Sequence, residues 1–103
     1  MHYQNLYLSE LEDFLDNHSS ALLLDVRQPY EFAEFALPDA KLIPLNELAS
    51  QIDEIETRKN TPVVVYCKAG VRSVYACNIL HEFGFTDLYN IADGVISLLP
   101  RNY

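Results

Sequence analysis

The sequence predicts an α/β fold: an open, mostly parallel sheet of about five strands with helices on both faces. Three observations carry that expectation. Short apolar runs alternate with segments of helical periodicity along the whole chain. The runs Ala21–Val26 and Val63–Tyr66 are nearly continuous in hydrophobicity rather than alternating, as in strands covered on both faces. No repeat, low-complexity tract or linker interrupts the order, so the 103 residues are expected to form one domain, 1–103.

Tyr7-Leu8 reads as a short edge strand. Ser9-Glu10-Leu11-Glu12 then has the form of a capping box, with Ser9 as N-cap. Leu11, Phe14 and Leu15 fall on one helical face, opposite Glu10, Glu12, Asp13 and Asp16, and the helix ends near Asn17 to Ser20. The next strand ends at Asp25. With Arg27, Pro29 and Glu31 it forms a polar cluster at a strand's carboxyl end, the edge where open α/β sheets build their sites. A short helix over Tyr30 to Phe35 follows Pro29. Pro38 breaks the chain, Leu42-Ile43 makes a third brief strand and Pro44 ends it.

Leu45, Leu48, Ile52 and Ile55 have helical spacing, with the acidic residues between them facing outward. Arg58 to Thr61 is a polar turn, and Pro62 opens the central strand. Beyond it, Ala76, Cys77, Leu80 and Phe83 line one face of a helix that Gly84 terminates. Leu88 to Ile91 is the last strand. Asp93-Gly94 turns into a final helical piece, Val95 to Leu99, ended by Pro100.

The chemistry centres on Val63-Val64-Val65-Tyr66-Cys67-Lys68-Ala69-Gly70-Val71-Arg72-Ser73. A strand stops at a cysteine, and a turn with one glycine and two cations leads into a helix from Ser73. Loop and helix N–H groups then converge on one spot, and the helix dipole adds partial positive charge there. Such donors, with Lys68 and Arg72 near, would favour the Cys67 thiolate, the nucleophilic form. A buried strand-end cysteine that only fills space is the plainer reading. Two cations and a glycine at the turn argue against it. Asp25 and Cys67 are expected to be neighbours in space.

Composition narrows the classes. The net charge of −8 opposes nucleic acid and anionic membrane surfaces. With only seven basic residues, two of them in the Cys67 loop, any anion site must be local. No apolar run has the length of a membrane span, and the first residues lack the pattern of a signal peptide, so the expected location is cytoplasmic. Cys67 and Cys77 have neither redox nor zinc spacing. Cys77 is expected in the core, and His2, His18 and His81 on the surface.

Three segments resemble rhodanese domains. Asp25-Val26-Arg27-Gln28-Pro29-Tyr30-Glu31-Phe32 resembles their D-V-R-x-x-x-E-[FY] segment. Leu37-Pro38-Asp39-Ala40 followed by Ile43-Pro44-Leu45 resembles I-P-G-A-x-x-I-P-L, and Cys67-Lys68-Ala69-Gly70-Val71-Arg72-Ser73 resembles the active-site loop C-x-x-G-x-R-S. The resemblance runs from about Leu8 to Leu99. It implies a rhodanese-like fold and a single-domain sulfurtransferase without metal or organic cofactor. The loop cysteine of that family takes a sulfane sulfur from thiosulfate or a persulfide, then passes it to cyanide, a thiol or a carrier protein. By position, Cys67 would be nucleophile and carrier. The N–H groups of Lys68, Ala69, Gly70, Val71, Arg72 and Ser73 would cradle the persulfide, with Lys68 and Arg72 holding the donor's sulfonate. Asp25 and Arg27 would support the loop.

The chain departs from the family pattern in three places: Phe35-Ala36-Leu37 stands where G-H-I is usual, Asp93-Gly94 where G-G is, and Leu98 or Leu99 where an aromatic residue is. Asp93 is expected at the pocket mouth, facing Lys68 and Arg72 and opposing anionic donors, or else as N-cap of the last helical piece. Two other functions stay open at this level. A cysteine phosphatase or arsenate reductase would need C-x5-R, and this loop is C-x4-R with Ser73 in the required place. A non-catalytic rhodanese-like binding module would keep the scaffold and use its surface for a partner.

Overall fold

Strand β4, Val63–Tyr66, is the axis of the molecule, and none of its four side chains is exposed. In the computed structural model, which describes residues 2–100, four further strands share its direction. They are β1 (Gln4–Leu6), β2 (Leu22–Asp25), β3 (Lys41–Leu42) and β5 (Leu88–Ile91), in the spatial order β1-β5-β4-β2-β3. All the pairings are parallel. The predicted α/β sheet of five strands is the one observed.

Three α-helices accompany the sheet: α1 (Leu8–Asn17), α2 (Pro29–Glu34) and α3 (Arg72–Glu82). Alternation along the strands divides the core in two. Leu24, Val26, Val63, Val65 and Leu88 face Ala76, Cys77 and Leu80 of α3 together with Leu48, Ile52 and Ile55. Leu23, Val64, Tyr66 and Ile91 face the other way, onto Leu11, Phe14 and Leu15 of α1 and onto Leu37. From β2 the chain moves outward to β3, whereas from β4 it crosses through α3 to β5 on the opposite side. The carboxyl ends of β2 and β4 therefore form the switch point of the sheet, where a crevice opens.

Several elements differ from the sequence reading. The edge strand is Gln4–Leu6, and α1 starts at Leu8, so Ser9 lies inside the helix rather than capping it. Glu10, not Glu12, reaches back to the N–H of Tyr7, at 2.8 Å. Strand β3 starts one residue early, at Lys41. The segment with helical spacing from Leu45 holds two 3₁₀ stretches, Leu45–Glu47 and Ile52–Arg58, the second kinked at Ile55 (φ −124°, ψ 17°). Its apolar residues reach the core without a continuous helix. Helix α3 starts at Arg72, one residue early, and the last helical piece is a 3₁₀ turn at Ile96–Leu98.

Phe83 is 40% exposed and Phe85 takes the core place expected for it. The cause is the helix stop. Gly84 has φ +92°, and the N–H groups of Gly84 and Phe85 return to the carbonyls of His81 and Leu80 at 3.0 Å each. This Schellman pattern turns Phe85 inward onto Leu80.

Asp93 makes the longest-range cap. Its Oδ1 accepts the Leu8 N–H at 2.8 Å, satisfying one of the free donors of the first turn of α1. β5 lies beside β1, so the turn after β5 sits over the start of the helix that follows β1. Asp93→Ala should cost about 1 kcal/mol, the usual worth of a lost cap, and lower Tm by about 4–8 °C. Thermal unfolding followed by circular dichroism checks this, and an unchanged Tm would contradict it.

Candidate active site

Cys67 follows β4 directly, five residues before α3 begins at Arg72, and its side chain is 1% exposed. So tight a reversal needs a residue with positive φ, and Gly70 supplies it at φ +85°. Any Cβ on Gly70 would come within 2.2 Å of the Ala92 carbonyl oxygen. The loop is gripped from the same side by the turn after β5. The N–H groups of Val95 and Ile96 donate to the Lys68 carbonyl at 3.0 and 2.9 Å, and a Cβ on Gly94 would meet that same carbonyl at 2.2 Å.

The loop closes on the sulfur. Gly70 N–H donates to Cys67 Sγ at 3.2 Å and Ser73 N–H at 3.4 Å, while the Ser73 hydroxyl lies 3.4 Å away. Burial alone would push the Cys67 thiol up. The Ser73 hydroxyl and the N–H groups of Ser73, Ala69 and Gly70 outweigh it, and the thiol titrates below its ordinary 9.0. Hydrogen-bond donors lead in this, and of the loop cations invoked from the sequence Arg72 adds a charge interaction with the sulfur. Cys77 has no such donors, and burial pushes its thiol up to about 12.

The two loop cations are placed differently from each other. Lys68 is exposed and makes no ion pair among the described residues. Arg72 is engaged by a carboxylate: its Nη1 and Nη2 donate to the two oxygens of Glu31 at 2.6 and 2.9 Å. Glu31 Oε1 also accepts the Gln28 N–H at 3.0 Å, so one carboxylate caps α2 and ties it to α3. These bonds hold the Glu31 carboxyl down to about 2. The sequence places Glu31 in the polar cluster after Asp25, as the acid of the D-V-R-x-x-x-E-[FY] segment, but carries no sign of its tie to Arg72.

Asp25 and Arg27 form a buried pair at the end of β2, with Arg27 Nη2 2.7 Å from Asp25 Oδ2 and side-chain exposures of 1% and 0%. Arg27 also donates to the Phe35 carbonyl at 2.6 Å, and its guanidinium lies 5.5 Å from the Tyr66 ring centroid. Because Asp25 pairs with Tyr66 across the strands, this cluster adjoins the Cys67 loop as expected. Asp93 does not join it. Its bond to Leu8 replaces both expected roles, at the pocket mouth and as a local N-cap, because the start of α1 offers unpaired N–H donors close by.

A cleft of about 910 Å³ opens beside the loop, lined among others by Tyr30, Glu31, Glu34, Phe35, Lys68 and Ile96. Cys67, buried, is not part of its wall, whereas its neighbour Lys68 is.

A family profile for the rhodanese-like domain matches residues 8–97. The chain belongs to the rhodanese-like family. The Bacillus subtilis protein YqhL is 38% identical over 94 residues, spanning 89% of this chain and 73% of that protein. A sulfurtransferase of Allochromatium vinosum is 34% identical over 87 residues, spanning 84% and 79% respectively. The crystal structure of a rhodanese-like domain protein from Staphylococcus aureus superposes with a TM-score of 0.76 at 29% identity, over 89% of this chain and 87% of that one. Of the described residues, no helix is long and apolar enough to cross a membrane.

Two measurements test this site. The alkylation rate of Cys67 against pH should have its midpoint below 9.0, and Cys77 should stay unreactive until the chain unfolds. Ser73→Ala should move the midpoint upward and slow the neutral-pH reaction roughly tenfold, the factor of one hydrogen bond of about 1.4 kcal/mol. A wild-type midpoint at or above 9.0 would refute the donor account. The second measurement uses the Glu31 carboxyl, whose folded pKa is depressed from 4.5 to about 2. Its contribution to stability is complete above 4.5 and is lost as pH falls towards 2. Urea unfolding between those limits should show a steeper acid loss for the wild type than for Glu31→Gln.

Proposed function

We propose that the chain is a sulfurtransferase that carries sulfur as a persulfide on Cys67. One observation supports this most: a buried cysteine sulfur at the bottom of a strand-to-helix loop, facing N–H and hydroxyl donors at 3.2–3.4 Å. In the first half-reaction the Cys67 thiolate attacks the outer sulfur of the donor. With thiosulfate, the S–S bond breaks, sulfite leaves with the bonding pair and Cys67 becomes the persulfide. With a persulfide donor, the donor's thiolate leaves instead. In the second half-reaction an acceptor thiolate or cyanide attacks the terminal sulfur, and Cys67 departs as thiolate. The sulfur is transferred at the sulfane level, so neither half needs an external oxidant, reductant, metal or organic cofactor.

Each residue has a part in that cycle. The Gly70 and Ser73 donors stabilise the Cys67 thiolate before attack and as leaving group afterwards. Lys68, exposed at the cleft, meets an incoming anion. The Glu31–Arg72 and Asp25–Arg27 pairs hold the loop's two flanks, and Ala69 and Val71 complete the turn between them. The spacing of the loop, C-x4-R with Ser73 where a cysteine phosphatase needs arginine, supports this reading over a phosphatase. Setting in a cytoplasmic compartment would keep both thiols reduced.

Incubation with thiosulfate or cysteine persulfide, followed by intact-protein mass spectrometry, should show a gain of one sulfur atom. Cyanide or a thiol should remove it, and Cys67→Ser should abolish it. A chain that gains no sulfur from either donor would be a binding module, and the proposal would fall.

A further inference from the structure

The donors of Arg27 are only partly used. Its side chain is 1% exposed, yet Arg27 forms part of the wall of the cleft beside the Cys67 loop. A guanidinium is a rigid, planar fork of N–H donors with no acceptor of its own. Nε donates to Asp25 Oδ1 at 3.0 Å, and Nη2 donates to Asp25 Oδ2 at 2.7 Å and to the Phe35 carbonyl at 2.6 Å. Nη1 makes no hydrogen bond among the described residues. The Tyr66 hydroxyl supports the charge from nearby, and its own bond is the one it accepts from the Leu37 N–H. Among the described residues, the sealed side-chain atom without a partner is Asn90 Oδ1. Nη1 is therefore not sealed, and the space that Arg27 lines is the cleft. Buried donors are nearly always paired, so an arginine arm left open on a cleft is placed for an acceptor that comes from outside.

The surroundings narrow that acceptor. Asp25 is fully buried and takes no part in the wall, so the pair presents its positive member to the cleft. Lys68 and Glu34 stand on the same wall, both exposed and neither in an ion pair among the described residues. Their charges are opposite and screened by water and salt, so they leave little net preference. The desolvated Nη1 keeps both its strength and its direction, and a carboxylate fits such a donor in plane. Phe35 and Ile96 add apolar wall, and about 910 Å³ is room for an organic body, which thiosulfate lacks.

We propose that Arg27 is a specificity-determining residue, whose Nη1 arm holds the carboxylate of an organic thiol or persulfide that exchanges sulfur with Cys67. The inference rests on the persulfide reading and gives a substrate contact to a residue otherwise confined to supporting the loop. With its carboxylate on Nη1, an acceptor's thiolate attacks the terminal sulfur of the Cys67 persulfide. A new S–S bond forms on the acceptor, the bond to Cys67 breaks, and Cys67 leaves as thiolate.

Cysteine and cysteamine, which differ in one carboxylate, test this as acceptors for chain loaded from thiosulfate. The kcat/KM for cysteine should be about tenfold higher, the scale of one charge-assisted contact. The net charge of −8 and Glu34 both favour the more cationic cysteamine, so the general field of the chain cannot produce that order. Lys68→Gln should keep most of the preference, whereas Asp25→Asn/Arg27→Gln, a neutral pair of similar shape, should abolish it. A purely structural loss at that pair would slow both thiols alike and leave their ratio intact. Binding is read separately by NMR titration of the unloaded chain with S-methylcysteine and with 2-(methylthio)ethylamine, neither of which can exchange sulfur. S-methylcysteine should bind more tightly and shift the Arg27 side-chain resonances of the wild type, a readout that stands even where the double variant does not fold. That result supports the contact even if no sulfur loads on Cys67, an outcome that would overturn the catalytic reading alone. Equal binding of the two thioethers, unmoved Arg27 resonances, or a cysteine preference that vanishes in Lys68→Gln and survives in the double variant would overturn the Arg27 proposal.

Discussion

The shape of the site follows from one constraint: a fully buried central strand must reverse into a helix within five residues. Nothing about β4 can relax to ease that turn, since its side chains are packed on both faces. The loop therefore takes a positive φ at Gly70 and runs against the chain after β5, where Ala92 and Gly94 leave no space for extra atoms. The Val95 and Ile96 N–H groups bind the loop's carbonyls from behind, which leaves its own N–H groups pointing inward. The sulfur of Cys67 occupies that inward spot. Strand packing, helix start and thiolate stabilisation are thus consequences of one geometry.

Electrostatics refine what packing places. Arg27 is buried, and its charge is tolerable only because Asp25 is bonded to it; removing one member of such a pair typically costs about 3–5 kcal/mol. Glu31 does the corresponding work at the half-buried flank, joining the start of α2 to Arg72 at the start of α3. The second pair engages positive charge at Arg72 that the sequence alone would assign to anion binding. The hydrogen bonds to the sulfur come from neutral donors, and Lys68 is the loop cation that makes no ion pair among the described residues.

Much of this was legible in the chain. Uninterrupted apolar strands, alternation of strand and helix patterns, the glycine after Cys67 and the absence of cysteine pairing depend only on local periodicity and residue chemistry. They determined the parallel sheet, the position of Cys67 at its carboxyl edge and the burial of Cys77. The three segment resemblances determined the family. Helix limits were less legible, because a cap depends on what lies beside the helix: Ser9 has the right chemistry, yet Asp93, 85 residues beyond Leu8, supplies the cap. Phe83 and Phe85 are nearly equivalent in a periodic pattern, and the turn at Gly84 decides which of them is buried.

What only the tertiary structure decided is who partners whom. The sequence supplies carboxylates at Asp25, Glu31 and Asp93 and cations at Arg27, Lys68 and Arg72, without stating how they combine. Strand order settles it. Placing β2 beside β4 brings Glu31 to Arg72, 41 residues apart, and placing β5 beside β1 carries Asp93 away to Leu8. Charge pairing falls off with distance and rewards desolvated contacts, so it depends on neighbours in space and has no signature in local sequence.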